Sequence, residues 1–180
     1  MCLKNCLCFV MLTLFEPAKS GGWKMSEARY VTEANFLITV AKWLHASGWQ
    51  LEKVPTRDRN RVKHELTTAG ISINNIEFRR EEEDIRARQR DNLWRIECKD
   101  LSSGKRKTVK SNFDKAVAST VSYYAQKDGL RLDLALPDGY NTFLQNKLPQ
   151  ALKEVINLWI FLHLARDEVL VYAPEEELLL

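Results

Sequence analysis

The residues best suited to chemistry lie between Asp84 and Lys99. Glu97 and Lys99 stand two apart in a run from Leu93 to Leu101 that reads as a strand, so their side chains share one face while Ile96 and Cys98 take the other. Charges at the end of an apolar strand come to the sheet edge. A second extended run, Asp84 to Arg90, precedes it across a tight turn at Asp91-Asn92, and pairing of the two brings Asp84 near Glu97. Two ionised carboxylates held together repel, and a divalent cation resolves this by bridging them. Mg²⁺ favours such hard oxygen ligands, keeps several waters and accepts phosphate oxygens. A metal-bound water beside a lysine ammonium is suited to attack phosphorus, with the cation stabilising the charge that develops. A bare Glu-x-Lys is most often an ordinary ion pair. Here it stands in a fuller context of strand, turn, strand, basic loop and amphipathic helix.

The elements that must position these groups follow from periodicity. Ala34, Leu37, Ile38, Ala41 and Leu44 recur at helical spacing over Val31 to Ser47, with Gly48 as a stop. Trp49 to Val54 alternates like a short strand, and Arg57 to Arg61 reads as a basic loop or helix start. Ile71 to Ile73 and Ile76 to Phe78 suggest extended chain around Asn74-Asn75. Ser102 to Lys110 reads as a polar, basic loop. Thr108 to Lys127 reads as a helix with Phe113, Ala116, Val117, Thr120, Val121 and Tyr124 on one face. Lys115, Ser119, Ser122 and Gln126 of that helix are candidates to line a cleft. Leu130 to Leu136 alternates as a strand, Leu144 to Val155 reads as a helix, and Leu158 to Leu164 and Val169 to Tyr172 as strands. Glu175 to Leu180 looks like a frayed end. This order predicts one α/β domain with a mixed sheet.

Asp84 followed by Glu97-Cys98-Lys99 resembles the signature of the PD-(D/E)xK nuclease superfamily, and the elements from Val31 to Leu136 are similar to its core in order and spacing. The resemblance implies a restriction-endonuclease-like core, a central mixed β-sheet flanked by α-helices. It also implies a Mg²⁺-dependent endonuclease, with Mn²⁺ as a substitute, that hydrolyses phosphodiester bonds in DNA, or in RNA. Carried over residue by residue, Asp84 and Glu97 bind the metal, the Cys98 carbonyl is a further ligand and Lys99 orients the attacking water. Glu33 on the first helix is the better candidate for an additional carboxylate, and Glu27 the second. The residue before Asp84 is Glu83 where the family has Pro, and Glu81-Glu82-Glu83 supplies three rival carboxylates. A catalytically inactive module that binds nucleic acid or protein on the same fold is the alternative. So is an unrelated α/β protein with a surface ion pair.

Charge and composition are consistent with a polyanion-binding face. The net charge of +3 hides 17 Lys/Arg against 11 Asp/Glu from Lys53 to Lys115, and 4 against 8 from Arg131 to Leu180. Lys105, Arg106, Lys107 and Lys110 after the active strand, with Arg86 and Arg88 on its partner, are candidate phosphate contacts; a solvated basic surface is the plainer reading of them. A cut through both strands by one small site would favour a homodimer. The 180 residues, 45% of them hydrophobic, exclude disordered and disulfide-scaffold classes. No Gly-rich phosphate loop is present, and the three histidines lack metal-ligand spacing. Four of the five tryptophans, Trp43, Trp49, Trp94 and Trp159, suit a core or an interface. Residues 1–24 read as an extension ahead of a working start at Met25. They loosely imitate a secretory signal, but their apolar run is too short to span a bilayer, so no membrane partner is expected. Three of the four cysteines fall there, leaving Cys98 alone in a single domain over 25–180 and pointing to a reducing, cytoplasmic setting.

Overall fold

The computed structural model describes residues 32–54, 58–79, 83–101, 106–125, 128–164 and 168–178. There the chain builds one six-stranded sheet: β1 (Gln50–Lys53), β2 (Ile85–Gln89), β3 (Asn92–Cys98), β4 (Leu130–Pro137), β5 (Leu158–His163) and β6 (Val169–Tyr172), side by side in sequence order. The β3, β4 and β5 strands run parallel, and β1, β2 and β6 complete the sheet through antiparallel pairings. This is a mixed α/β architecture consistent with a restriction-endonuclease-like core.

Two apolar layers cover the sheet. On one face α1 (Glu33–Ala46) buries Phe36, Leu37, Val40, Ala41 and Leu44 against Ile85, Ala87, Trp94, Ile96 and Cys98 of β2 and β3. Each such side chain contributes about 1.5–3 kcal/mol when fully removed from water. On the other face α3 (Arg106–Ser122) sets Val109, Phe113 and Ala116 against Leu130, Leu132, Leu134 and Leu136 of β4. The tryptophans among the described residues belong to the first layer: Trp49 and Trp94 are buried, and Trp43 and Trp159 pack on the same cluster.

The β2–β3 hairpin turns one position earlier than the sequence suggests. Gln89 pairs with Asn92, so the loop is Arg90-Asp91, with Arg90 in the left-handed region at φ 55°. The register follows from side-chain alternation: Ile85 opposite Ile96 and Ala87 opposite Trp94 place all four on the α1 face, and a slip of one would turn a strand's apolar side away. Gly129, at φ 75°, lets β4 start close against this turn, since a Cβ there would lie 2.7 Å from the Asp91 carbonyl oxygen.

Of the loop and the helix start that Arg57 to Arg61 allowed, the structure has the helix start, and three other segments differ from expectation. The basic run near Arg57 leads into a full helix, α2 (Arg59–Thr68), anchored by only Val62 and Leu66, too few to mark a stripe. The basic segment after β3 is helical from Arg106 on, so Lys107 and Lys110 lie on α3. The helix expected over Leu144 to Val155 is two, α4 (Asn141–Lys147) and α5 (Gln150–Val155). Leu148, extended at φ −102° and ψ 102°, precedes Pro149, whose ring disfavours a helical predecessor. The C-terminal segment is docked through 178: Lys153 donates to the Glu176 carbonyl at 2.6 Å, Gln150 donates to that of Pro174 at 2.7 Å, and Leu178 packs on the α3-side core. Among the described residues no helix is long and apolar enough to cross a membrane.

Candidate active site

Alternation along β3 sends Trp94, Ile96 and Cys98 into the α1-side core and leaves Arg95 and Glu97 on the opposite face, toward α3. Lys99 follows on that face, and its amide extends the pairing with β4 by donating to the Ala135 carbonyl at 3.1 Å. The Lys99 ammonium donates to Glu97 Oε1 at 2.6 Å. The other Glu97 oxygen, Oε2, accepts the hydroxyl of Tyr123 at 2.9 Å. Glu97 is buried and Lys99 half-buried.

Asp84 enters from the neighbouring strand. Its amide donates to the Ile96 carbonyl at 3.0 Å, and its Oδ2 accepts the Cys98 amide at 2.9 Å. That amide is the peptide nitrogen joining Glu97 to Cys98, so the Asp84 carboxylate lies beside the Glu97–Lys99 pair, as the hairpin reading expected. Asp84, Glu97 and Lys99 together carry one surplus negative charge.

The titration shifts express the same crowding. Burial works to lower the Lys99 pKa, but the bond to Glu97 and the charges of Glu97 and Asp84 outweigh it and hold the group above the ordinary lysine range. Tyr123 is pushed well above the usual phenol value by burial and by the Glu97 and Asp84 charges, so it remains a hydrogen-bond donor. Burial, Asp84 and Glu97 likewise raise the Cys98 thiol well above its ordinary value, which keeps it protonated in the core. Chemistry from Cys98 is therefore confined to its backbone.

Glu83 settles its rivalry with Asp84. Its side chain has no exposed surface; Oε1 accepts Arg86 Nε at 2.5 Å, and Oε2 accepts Arg95 Nη2 at 2.5 Å and Nε at 2.8 Å. Burial raises its pKa, yet the bonds from Arg95, its own backbone and Arg86 prevail and hold it below the ordinary glutamate range. A carboxylate engaged by two arginines is spent as a metal ligand.

The remaining candidates divide. Glu33 is the first residue of α1; Phe36 in the same turn packs edge-on at 5.4 Å against His163, at the C-terminal end of β5, the sheet end that also carries Glu97. Glu27, Glu81, Glu82, Lys105 and Gln126 lie outside the described residues. Arg86 is tied to Glu83, and Arg88 to Glu52 at 2.5 Å. Arg106 opens α3; Lys107 and Lys110 are exposed near its start, Lys110 paired with Asp114 at 2.5 Å. Among the described residues no group of three or more His, Cys, Asp or Glu side chains gathers as a metal cluster, so a cation here would take two carboxylates, backbone oxygen and water.

No family model matches the chain, and no curated protein matches it. Among solved structures it is similar to a crystal structure of an XisH family protein from Nostoc punctiforme PCC 73102, at 19% identity and a TM-score of 0.44, over 75% of this chain and 95% of that one.

Two site residues escape a reading by motif. Tyr123 reaches Glu97 from just beyond α3, and the Arg95 guanidinium lies 4.7 Å over its ring. Of the cleft-lining candidates, Lys115 and Ser122 are exposed and Ser119 is half-buried, while Tyr124, expected on the apolar face, is 44% exposed. The available signal was that a half-buried tyrosine needs a partner for its hydroxyl.

Proposed function

We propose that this chain is a metal-dependent nuclease that hydrolyses phosphodiester bonds in DNA. The observation that carries the reading is the docking of Asp84 on the Cys98 amide beside the Glu97–Lys99 pair. The donor set fits a hard divalent cation: Asp84 and Glu97 would hold Mg²⁺ or Mn²⁺, with the Cys98 carbonyl as a further ligand and water completing the shell. Such an ion supplies charge neutralisation at the phosphoryl oxygens and a more acidic water. Lys99 does the rest from its own atoms. An ammonium has three N–H donors and the Glu97 bond uses one, leaving donors for a water and a phosphate oxygen. Its part is to orient the attacking water and to stabilise negative charge.

Incubation with plasmid and linear DNA, with and without Mg²⁺, tests this beside Lys99→Ala. Mg²⁺-dependent cutting lost in the variant is expected. Metal-independent cutting, or a variant as active as the parent, overturns the reading. DNA binding unchanged by Mg²⁺ and by Asp84→Ala, with no cleavage, would favour an inactive binding module.

A further inference from the structure

Arg95, Glu97 and Lys99 are successive same-face positions, and the first has no part in the motif. Its guanidinium is gripped by the buried Glu83 through Nε and Nη2, lies over the Tyr123 ring, and places Nη1 3.5 Å from the Tyr123 carbonyl oxygen. Tyr123 passes the constraint on, since its hydroxyl holds Glu97 Oε2. We propose that Glu83, Arg95 and Tyr123 form a positioning relay that fixes the Glu97 carboxylate for a divalent cation. The proposal rests on the nuclease reading above.

The need for a relay is physical. The terminal torsion of a glutamate is broad, and the ammonium that holds Oε1 sits on a flexible stem. One bond from Lys99 therefore leaves the carboxylate free to swing, and the Tyr123 hydroxyl on the second oxygen stops it. A carboxylate offers about four lone-pair sites. Two are occupied by Lys99 and Tyr123, which leaves about two for a cation. Tyr123 itself stands one residue past α3, held along the backbone by a bond to the Thr120 carbonyl, and the rigid plane of Arg95 aims its ring together with the α3-side core on which that ring packs. A lysine at that position would keep the charge and lose the plane.

The test is calorimetric titration of the full chain with Mn²⁺, alongside thermal melting, for the parent, Tyr123→Phe, Arg95→Lys and the double variant. Tyr123→Phe keeps the ring and its packing, so it isolates the hydroxyl even if Arg95→Lys unfolds. Loss of an outer-shell partner typically weakens metal binding about 10–100-fold. That loss is expected in Tyr123→Phe with a single cooperative melt retained, and the double variant should be no weaker than Tyr123→Phe alone, because Arg95 acts through Tyr123. Unchanged affinity in Tyr123→Phe, or losses that add in the double variant, overturns the relay and leaves the nuclease reading standing. No Mn²⁺ uptake by the parent chain overturns that reading and the relay together.

Discussion

The Cys98 amide donates to Asp84 Oδ2 at 2.9 Å, so the carboxylate proposed to bind a metal also closes the backbone at the end of β3. The two roles separate by substitution. Asp84→Asn keeps an acceptor oxygen and loses the charge; Asp84→Ala loses both. Both variants are expected to lower Mg²⁺-dependent cleavage by more than the roughly 10–100-fold typical of a metal's outer partners. Only Asp84→Ala should cost stability, about 1–2 kcal/mol, toward the low end for a charge-assisted bond because Asp84 is half-buried. Urea unfolding beside a plasmid nicking assay measures both.

Glu83 makes the fold sensitive to acid. Its folded pKa lies below the ordinary value of about 4.3, so its contribution is present above that value and is lost as the pH falls through the folded one. Melting temperatures from pH 6 to pH 3 should fall more steeply for the parent than for Glu83→Gln. Glu83→Ala, which strands two arginines whose side chains are 28% and 22% exposed, is expected to cost about 3 kcal/mol at neutral pH. A variant with the parent's acid profile would show the pairing to be without energetic weight.

How much of this was legible in the sequence depends on how far each relation reaches along the chain. Strand alternation sufficed to put Glu97 and Lys99 on one face, and a hairpin to bring Asp84 beside them. Tyr123 could not be reached that way, since its bond to Glu97 depends on where α3 crosses β3. Nor could the spent state of Glu83, which requires Arg95 to meet it across the hairpin. The break at Leu148-Pro149 is a different case. The restriction on a residue preceding proline stood in the sequence, and the apolar spacing across it hid the signal.

Asp133 runs opposite to Glu83. It is wholly buried on β4, its Oδ1 accepting the Phe161 amide at 3.2 Å. Burial raises its pKa well above the ordinary value, and the bond from the Phe161 amide only partly offsets this. The protonated form is favoured in the fold, so its contribution is complete below the ordinary aspartate pKa of about 3.9 and is lost as the pH rises through the folded value. Urea unfolding from pH 4 upward should show the parent losing stability relative to Asp133→Asn. A constant difference between the two would mean that Asp133 does not titrate on unfolding.

The start of α3 offers a check on DNA contact that is independent of cleavage. Lys107 and Lys110 are exposed there, and Lys110 already neutralises Asp114 at 2.5 Å, whereas Arg86 and Arg88 are tied to buried or half-buried glutamates. A lysine that neutralises a phosphate releases a counterion and adds about 0.9 to the slope of log affinity against log salt for duplex DNA. Lys107→Ala should therefore weaken binding evenly across sequences and reduce that slope by about one. Lys110→Ala should do less, because its removal also frees the Asp114 carboxylate from a partner it holds without DNA. Arg88→Ala, whose charge Glu52 balances, should change the slope least of the three. Fluorescence anisotropy of a labelled duplex over a salt series, in the absence of divalent metal, gives all three slopes; a larger loss for Arg88→Ala than for Lys107→Ala would move the contact surface from α3 to the open face of β2.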